Sequence, residues 1–394
     1  MRSLKDISPR GRTVFLRVDF NVPLKEGVIR DDTRIRASLP TLNHLLDQGA
    51  RVILASHLGR PKGEFKPELS LQPVAARLGE LISAPVSLAP DVIGAEVDRL
   101  KEALSPGEVL LLENVRFYKE EKTNDDNFSR ELSKGIDIFV NDAFGACHRA
   151  HASVVGIPSH VSQCAVGYLV EKELHYLGKA VFSPEKPYVA ILGGAKVADK
   201  IPVIRNLIKK ADDILIGGAM AYTFWAAIGA GVGRSLVEED KKQMVMEIMS
   251  AGEEQETDIL LPSDNVCAPS IESPGEALEF AGYPIPSDLM ALDIGARTVK
   301  DFSQIISRAK TILWNGPMGV FEVDRFSQGT IKIAEAVADS KALSIVGGGD
   351  SVAAVTKAGV ADRITHISTG GGASLEYIAN ETLPGLEALK EQED

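Results

Sequence analysis

Cysteine is scarce: Cys147, Cys164 and Cys267 are the only three in 394 residues. They are odd in number and widely spaced, so they form neither a disulfide framework nor a zinc knuckle, and they read as buried free thiols. No apolar run approaches the roughly 18 residues of a membrane span, and the Met1-Arg2-Ser3-Leu4-Lys5-Asp6 start has no apolar signal core. A cytoplasmic protein is expected. Basic charge is also in deficit, with 43 Lys and Arg against 55 Asp and Glu and a net charge of −12. That balance argues against nucleic acid or an anionic membrane as partner, and any anion site must be a local basic pocket in an acidic body.

Several motifs are missing as well. No G-x-x-x-x-G-K-[ST] loop occurs. Gly229-Ala230-Gly231-Val232-Gly233 follows a helix-like stretch instead of a strand and lacks dinucleotide spacing. His44, His160, His175 and His366 have no ligand spacing, and His148 and His151 have no third partner. They read as satisfied core or surface histidines.

What is present is an ordinary globular composition, 44% hydrophobic and 25% charged, long enough for two cores. Short continuous apolar runs at 13–18, 51–56, 108–112, 136–140, 188–192, 213–216, 311–314, 343–346 and 365–368 read as strands buried on both faces of parallel sheets. Amphipathic segments lie between them, such as 201–210 with Ile201, Ile204, Leu207 and Ile208. The fold class is α/β, with two doubly wound parallel-sheet (Rossmann-like) domains. Val170, Leu174, Leu177 and Val181 repeat at helical spacing before Ser183-Pro184-Glu185-Lys186-Pro187 stops the helix. The expected division is therefore 1–169, a connecting hinge helix over 170–185, and 186–374.

Ligands of open parallel sheets bind beyond the carboxyl ends of the strands, and there the two halves differ. In the first half the runs end in Asp19-Phe20-Asn21, His57-Leu58-Gly59-Arg60, Asn114-Val115-Arg116 and Asn141-Asp142, with His148-Arg149 close behind. One arginine alone reads as a surface residue. Arg34, Arg60, Arg116 and Arg149 gathered at strand ends would instead hold a molecule with phosphate and carboxylate groups, with Asp19 and Asn21 near its hydroxyl.

In the second half the runs end in glycine. Gly193-Gly194-Ala195-Lys196 leads to Lys200, which the i, i+4 spacing places with Lys196 on the first turns of a helix. Gly217-Gly218, Asn315-Gly316-Pro317 and Gly347-Gly348-Gly349-Asp350-Ser351 follow, and Gly370-Gly371-Gly372 opens another helix. Bare amides at helix starts attract phosphate, and Asp350 is a suitable hard ligand for Mg²⁺. Read as structure alone, Gly-Gly after a strand is a tight turn and Asp350 a helix cap.

Arg17-Val18-Asp19-Phe20-Asn21-Val22-Pro23, Ser56-His57-Leu58-Gly59-Arg60-Pro61, Glu113-Asn114-Val115-Arg116-Phe117, Asn141-Asp142-Ala143-Phe144-Gly145, His148-Arg149-Ala150-His151, Leu192-Gly193-Gly194-Ala195-Lys196-Val197, Trp314-Asn315-Gly316-Pro317 and Gly347-Gly348-Gly349-Asp350 resemble, in order, the signature blocks of the phosphoglycerate kinase family. The resemblance implies reversible phosphoryl transfer from 1,3-bisphosphoglycerate to Mg-ADP, giving 3-phosphoglycerate and ATP in glycolysis, by a monomer that closes about its hinge. By it, Asp19, Asn21, Arg34, His57, Arg60, Arg116 and Arg149 hold the glycerate. Arg34, Lys196, Gly371 and Gly372 serve the moving phosphoryl group. Gly193, Gly194, Lys196, Lys200, Gly217, Gly218, Asn315, Pro317, Glu322, Gly347, Gly348, Gly349, Asp350 and Ser351 hold the nucleotide, with Asp350 on Mg²⁺. It also implies a tail, 375–394, that returns to the N-terminal domain.

The attacking carboxylate is ionised near neutral pH, so the transfer needs no general base. Two rivals stand beside the kinase. A dehydrogenase needs G-x-G-x-x-G directly after a strand. A non-catalytic sugar-phosphate binder would share the arginines yet have no use for Asp350 and two lysines.

Overall fold

A computed structural model describes residues 1–272 and 277–390. Two compact units emerge: Met1–His175 with the returning segment from Thr382, and Tyr176–Glu381.

The first unit is built on six parallel strands in the order Val86–Leu88, Val109–Leu111, Arg51–Ala55, Thr13–Val18, Ile138–Asp142, Cys164–Val166. All six residues of Thr13–Val18 are buried, as expected of a central strand covered on both faces. The helix Thr33–Asp47 buries Ile35, Leu42 and Leu45 along one stripe, against a core that includes Val14, Leu16, Val52 and Leu54. Each such side chain contributes about 1.5–3 kcal/mol by leaving water. The strand expected at 136–140 lies two residues later, because Asn141 and Asp142 are satisfied locally: Asn141 Oδ1 accepts the Ala143 N–H at 3.0 Å and Asp142 Oδ1 the Leu169 N–H at 2.9 Å.

The second unit repeats the plan, in the order Asp258–Leu260, Asp213–Ile216, Tyr188–Leu192, Thr311–Asn315, Leu343–Gly347, His366–Ile367, again all parallel. In both units the first strand is central and the chain winds to one side before returning to the other. The switch points fall beside Thr13–Val18 and between Tyr188–Leu192 and Thr311–Asn315, where crevices open at the strand ends. A separate antiparallel sheet, Leu278–Ala281, Asp264–Ala268, Met290–Ile294, was not expected from the sequence. Its buried Asp264, Asn265 and Asp293 break the apolar runs that mark the parallel strands.

The tail begins later than 375. Residues 375–380 belong to the helix Gly372–Asn380, whose Ala373, Tyr377 and Ile378 are buried and whose Ala379 carbonyl accepts Asn206 Nδ2 at 3.3 Å within the second unit. The helix Pro384–Lys390 buries Leu386 and Leu389 in the first unit, where the Gly385 N–H donates to the Cys147 carbonyl at 2.9 Å. Residues 391–394 of the expected tail lie outside the described residues.

Candidate functional site

Strand ends of the first unit converge on a cationic crevice. Asp19 is ion-paired with Arg34, which stands in the first turn of Thr33–Asp47. Asp19 Oδ1 also accepts the Asn21 N–H at 3.2 Å, and Asn21 Oδ1 accepts the Gly59 N–H at 2.8 Å. These bonds tie the tip of one strand to the turn after the next. Arg116 donates to the Gly59 carbonyl at 2.9 Å, while its buried Nε has no hydrogen-bond partner. Asn114 holds the same turn, accepting from Leu58 and Arg116 N–H groups and donating to the Leu58 and Leu69 carbonyls. Arg60 and Arg149 are exposed, Arg149 Nε lying 3.0 Å from His148 Nε2.

Electrostatics confirm the crowding of positive charge. Burial pushes the Arg116 guanidinium down to about 10, with Arg17 and Arg149 adding to the shift. Burial first, then Arg116, Arg17 and Arg149, drive His151 down to about 3. His57 is likewise held well below the ordinary range by burial, against the pull of Asp19 and with Arg17, Arg116 and Arg34 adding to it. Burial raises the Asp19 carboxyl, but its neighbours His57, Arg34 and Arg17 outweigh this and hold it below the ordinary range.

In the second unit, glycines allow two loops to touch. A Cβ on Gly193 would meet the Pro317 carbonyl at 2.0 Å, and one on Gly316, at φ +101°, would meet the Gly193 carbonyl at 2.1 Å. Any side chain there would drive the loops apart. Hydrogen bonds fix the contact, from Gly193 N–H to the Asn315 carbonyl and from Gly194 N–H to the Pro317 carbonyl, both 3.0 Å. The result is a cavity of about 440 Å³, whose wall includes Gly193, Gly194, Lys196, Lys200, Asn315, Pro317, Gly348, Gly349, Asp350, Gly371 and Gly372. The helices Gly349–Lys357 and Gly372–Asn380 both start on this wall.

An apolar cavity of about 270 Å³ adjoins it, sharing Gly194, Ala195, Pro317 and Asp350. Gly218 and Glu322 line it. So do Tyr222, Leu236, Met290, Leu292, Met318 and Val320, none of which sequence reasoning had singled out. Their only signal was apolar character in runs that look like core.

Two expectations need correction. Lys196 and Lys200 do not ride on a helix: residues 193–200 form a loop, and the helix begins at Ile201. Pro202 is tolerated only in a first turn, and Glu238 Oε2 takes the Val197 and Ala198 N–H groups at 2.5 and 3.3 Å. Ser351 belongs to the cavity wall as expected, its buried Oγ accepting the Gly316 N–H at 2.6 Å and so bracing the loop. Gly217 and Gly347 lie behind the cavity walls; a Cβ on Gly217 would strike Met318 Sδ at 2.4 Å. Lys200 contacts Asn315 Oδ1, and burial lowers its ammonium against the opposing pull of Asp199 and Asp350.

Two crevices, one cationic and one lined with free amides, narrow the choice of chemistry, and the sequence pattern of the phosphoglycerate kinase family matches residues 4–381. The chain belongs to the phosphoglycerate kinase family. It is 52% identical over 394 residues to the phosphoglycerate kinase of Anaeromyxobacter dehalogenans (strain 2CP-C), covering 99% of this chain and all of that one. It is equally identical over 394 residues to that of Chlorobium phaeobacteroides (strain BS1), covering 99% of each. The solved phosphoglycerate kinase of Coxiella burnetii superposes with a TM-score of 0.91 at 37% identity, over 100% of this chain and 99% of that chain. That of Pyrococcus horikoshii OT3 gives 0.84 at 36% identity with the same coverage. The protein is thus a glycolytic phosphotransferase, catalysing reversible phosphoryl transfer between 1,3-bisphosphoglycerate and ADP.

Proposed function

We propose that the first unit binds 3-phosphoglycerate and the second binds Mg-ADP or Mg-ATP, one substrate to each. The observation that carries this reading is the unpartnered, buried Nε of Arg116, with Arg149 close enough to add to its shift and Arg34 beside the neighbouring His57. Guanidinium forks suit an acid that carries both carboxylate and phosphate. Asp19 and Asn21 are oriented to meet its hydroxyl.

The nucleotide's phosphates fit the glycine-walled cavity, with the amides at the starts of Gly349–Lys357 and Gly372–Asn380 as donors. Its base fits the adjoining apolar cavity. Asp350 presents an exposed carboxylate on the shared wall. Among the described residues no cluster of three or more His, Cys, Asp or Glu would hold a metal alone. That donor set suits Mg²⁺ carried in on phosphate oxygens, which takes one or two carboxylates and keeps its waters. When bound, the ion neutralises charge on the transferring phosphates.

Arg34, Lys196 and the Gly371 and Gly372 amides stabilise the charge that develops on the equatorial oxygens. No residue needs to remove a proton, and burial holds His57 well below the ordinary imidazole range. One chain carries both sets of groups, so a monomer suffices. Three buried free cysteines fit a reducing cytoplasm.

A coupled assay tests the reading: ATP formed from 1,3-bisphosphoglycerate and Mg-ADP. ATP production is expected. Absence of turnover by folded protein that binds 3-phosphoglycerate would favour a non-catalytic binder.

A further inference from the structure

Two buried, oppositely charged side chains in the first unit are used by none of these steps. Arg17 lies in the central strand Thr13–Val18 with 0% exposure, and Glu121, in the short helix Lys119–Thr123, is equally buried. Burying two unlike charges is costly unless each is fully hydrogen-bonded. Here they are joined through a serine. Glu121 Oε1 accepts the Ser153 hydroxyl at 2.7 Å and Oε2 the Ser153 N–H at 2.9 Å. His151 Nδ1 lies 3.6 Å from Oε1. With its proton given to Glu121, the Ser153 oxygen accepts from Arg17 Nε at 2.8 Å. Arg17 also donates to the Val18 carbonyl, and its remaining nitrogen lies 3.3 Å from His57 Nδ1.

A guanidinium has donors only, so the imidazole nitrogen facing it must be the one with the lone pair. With Nδ1 accepting from Arg17, the ring carries a single proton, and it sits on Nε2. Nε2 lies 3.9 Å from Asp19 Oδ1, too far for a direct hydrogen bond. It faces the crevice assigned to the glycerate.

We infer that Glu121, Ser153 and Arg17 form a positioning chain that locks His57 as its Nε2–H tautomer, making it a neutral donor to an anionic oxygen of the substrate. Arg17 is buried and touches no substrate; it acts through His57. The inference rests on the glycerate reading for its functional consequence, although the tautomer itself is independent of that reading.

Nitrogen-15 NMR of the imidazole in the intact enzyme is the first test. The wild type should show His57 with a protonated Nε2 and an unprotonated Nδ1; the opposite tautomer overturns the chain without any variant. Ser153→Ala, which removes the acceptor for Arg17 Nε, should yield a tautomer mixture. It should also raise KM for 3-phosphoglycerate about tenfold, the equivalent of one lost buried hydrogen bond, with little change in kcat or in KM for Mg-ATP. Ser153→Thr, which keeps the hydroxyl, should restore both. If Ser153→Ala shifts neither tautomer nor KM, the chain has no positioning role. If it shifts the tautomer while His57→Ala leaves KM for 3-phosphoglycerate unchanged, the glycerate reading fails and the tautomer lock stands.

Discussion

In the proposed mechanism Arg34 acts on the transferring phosphoryl group, and its charge is already paired with Asp19. Lysine would keep the charge and lose the planar fork. Arg34→Lys should therefore lower kcat by roughly 10- to 100-fold while nucleotide affinity holds. Steady-state kinetics with calorimetry on Mg-ADP reads both quantities, and an unchanged kcat would remove Arg34 from catalysis. At this scale the sequence was informative wherever a polar residue ends an apolar run, as with Asp19, His57 and Arg116. Arg17 was harder to interpret, since a cation inside a run gives no hint of a partner 136 residues away. Its anomaly within a strand otherwise made of Thr, Val, Phe and Leu was the available signal.

Among the elements, the helix Tyr168–Phe182 begins on a buried carboxylate. Asp142 Oδ1 accepts the Leu169 and Val170 N–H groups at 2.9 and 3.4 Å, while Oδ2 is buried with no partner. Burial pushes this carboxyl up to about 7, against the lowering effect of Thr41 and those amides. The unfolded value is about 3.9. A raised folded pKa means the native state binds the proton more tightly, so this group's contribution to stability falls as pH rises from about 4 to about 7 and is flat above. Asp142→Asn lacks that dependence. Relative to wild type, the variant should gain roughly 1–3 kcal/mol between about pH 5 and about pH 8 in urea unfolding. Asp293, also raised to about 7 by burial, is common to both proteins and cancels. An identical difference at the two pH values would contradict the assignment.

Element type was legible where apolar runs were continuous, as at Tyr188–Leu192. Strands of three residues at a partly exposed edge, such as Val86–Leu88 with its exposed Ser87, carry too little pattern to be seen. The start of the helix at Ile201 was misplaced because lysine spacing was read as helical, although Pro202 confines the first turn.

For the whole molecule, the doubly wound plan followed from alternating strands and helices, and the contrast between arginine and glycine strand tips underlies the proposed division of substrates. The apolar cavity of the second unit was not legible, because its wall is assembled from Tyr222, Leu236, Met290 and Met318, which lie far apart along the chain. The central claim is that each unit serves one substrate. Titration calorimetry of 3-phosphoglycerate and of Mg-ADP into wild type, Arg149→Ala and Asp350→Ala tests it most directly. Arg149→Ala should weaken 3-phosphoglycerate by about tenfold or more and leave Mg-ADP unaffected, and Asp350→Ala should do the reverse. If either variant weakens both ligands alike, or only the ligand assigned to the other unit, the division of substrates is wrong.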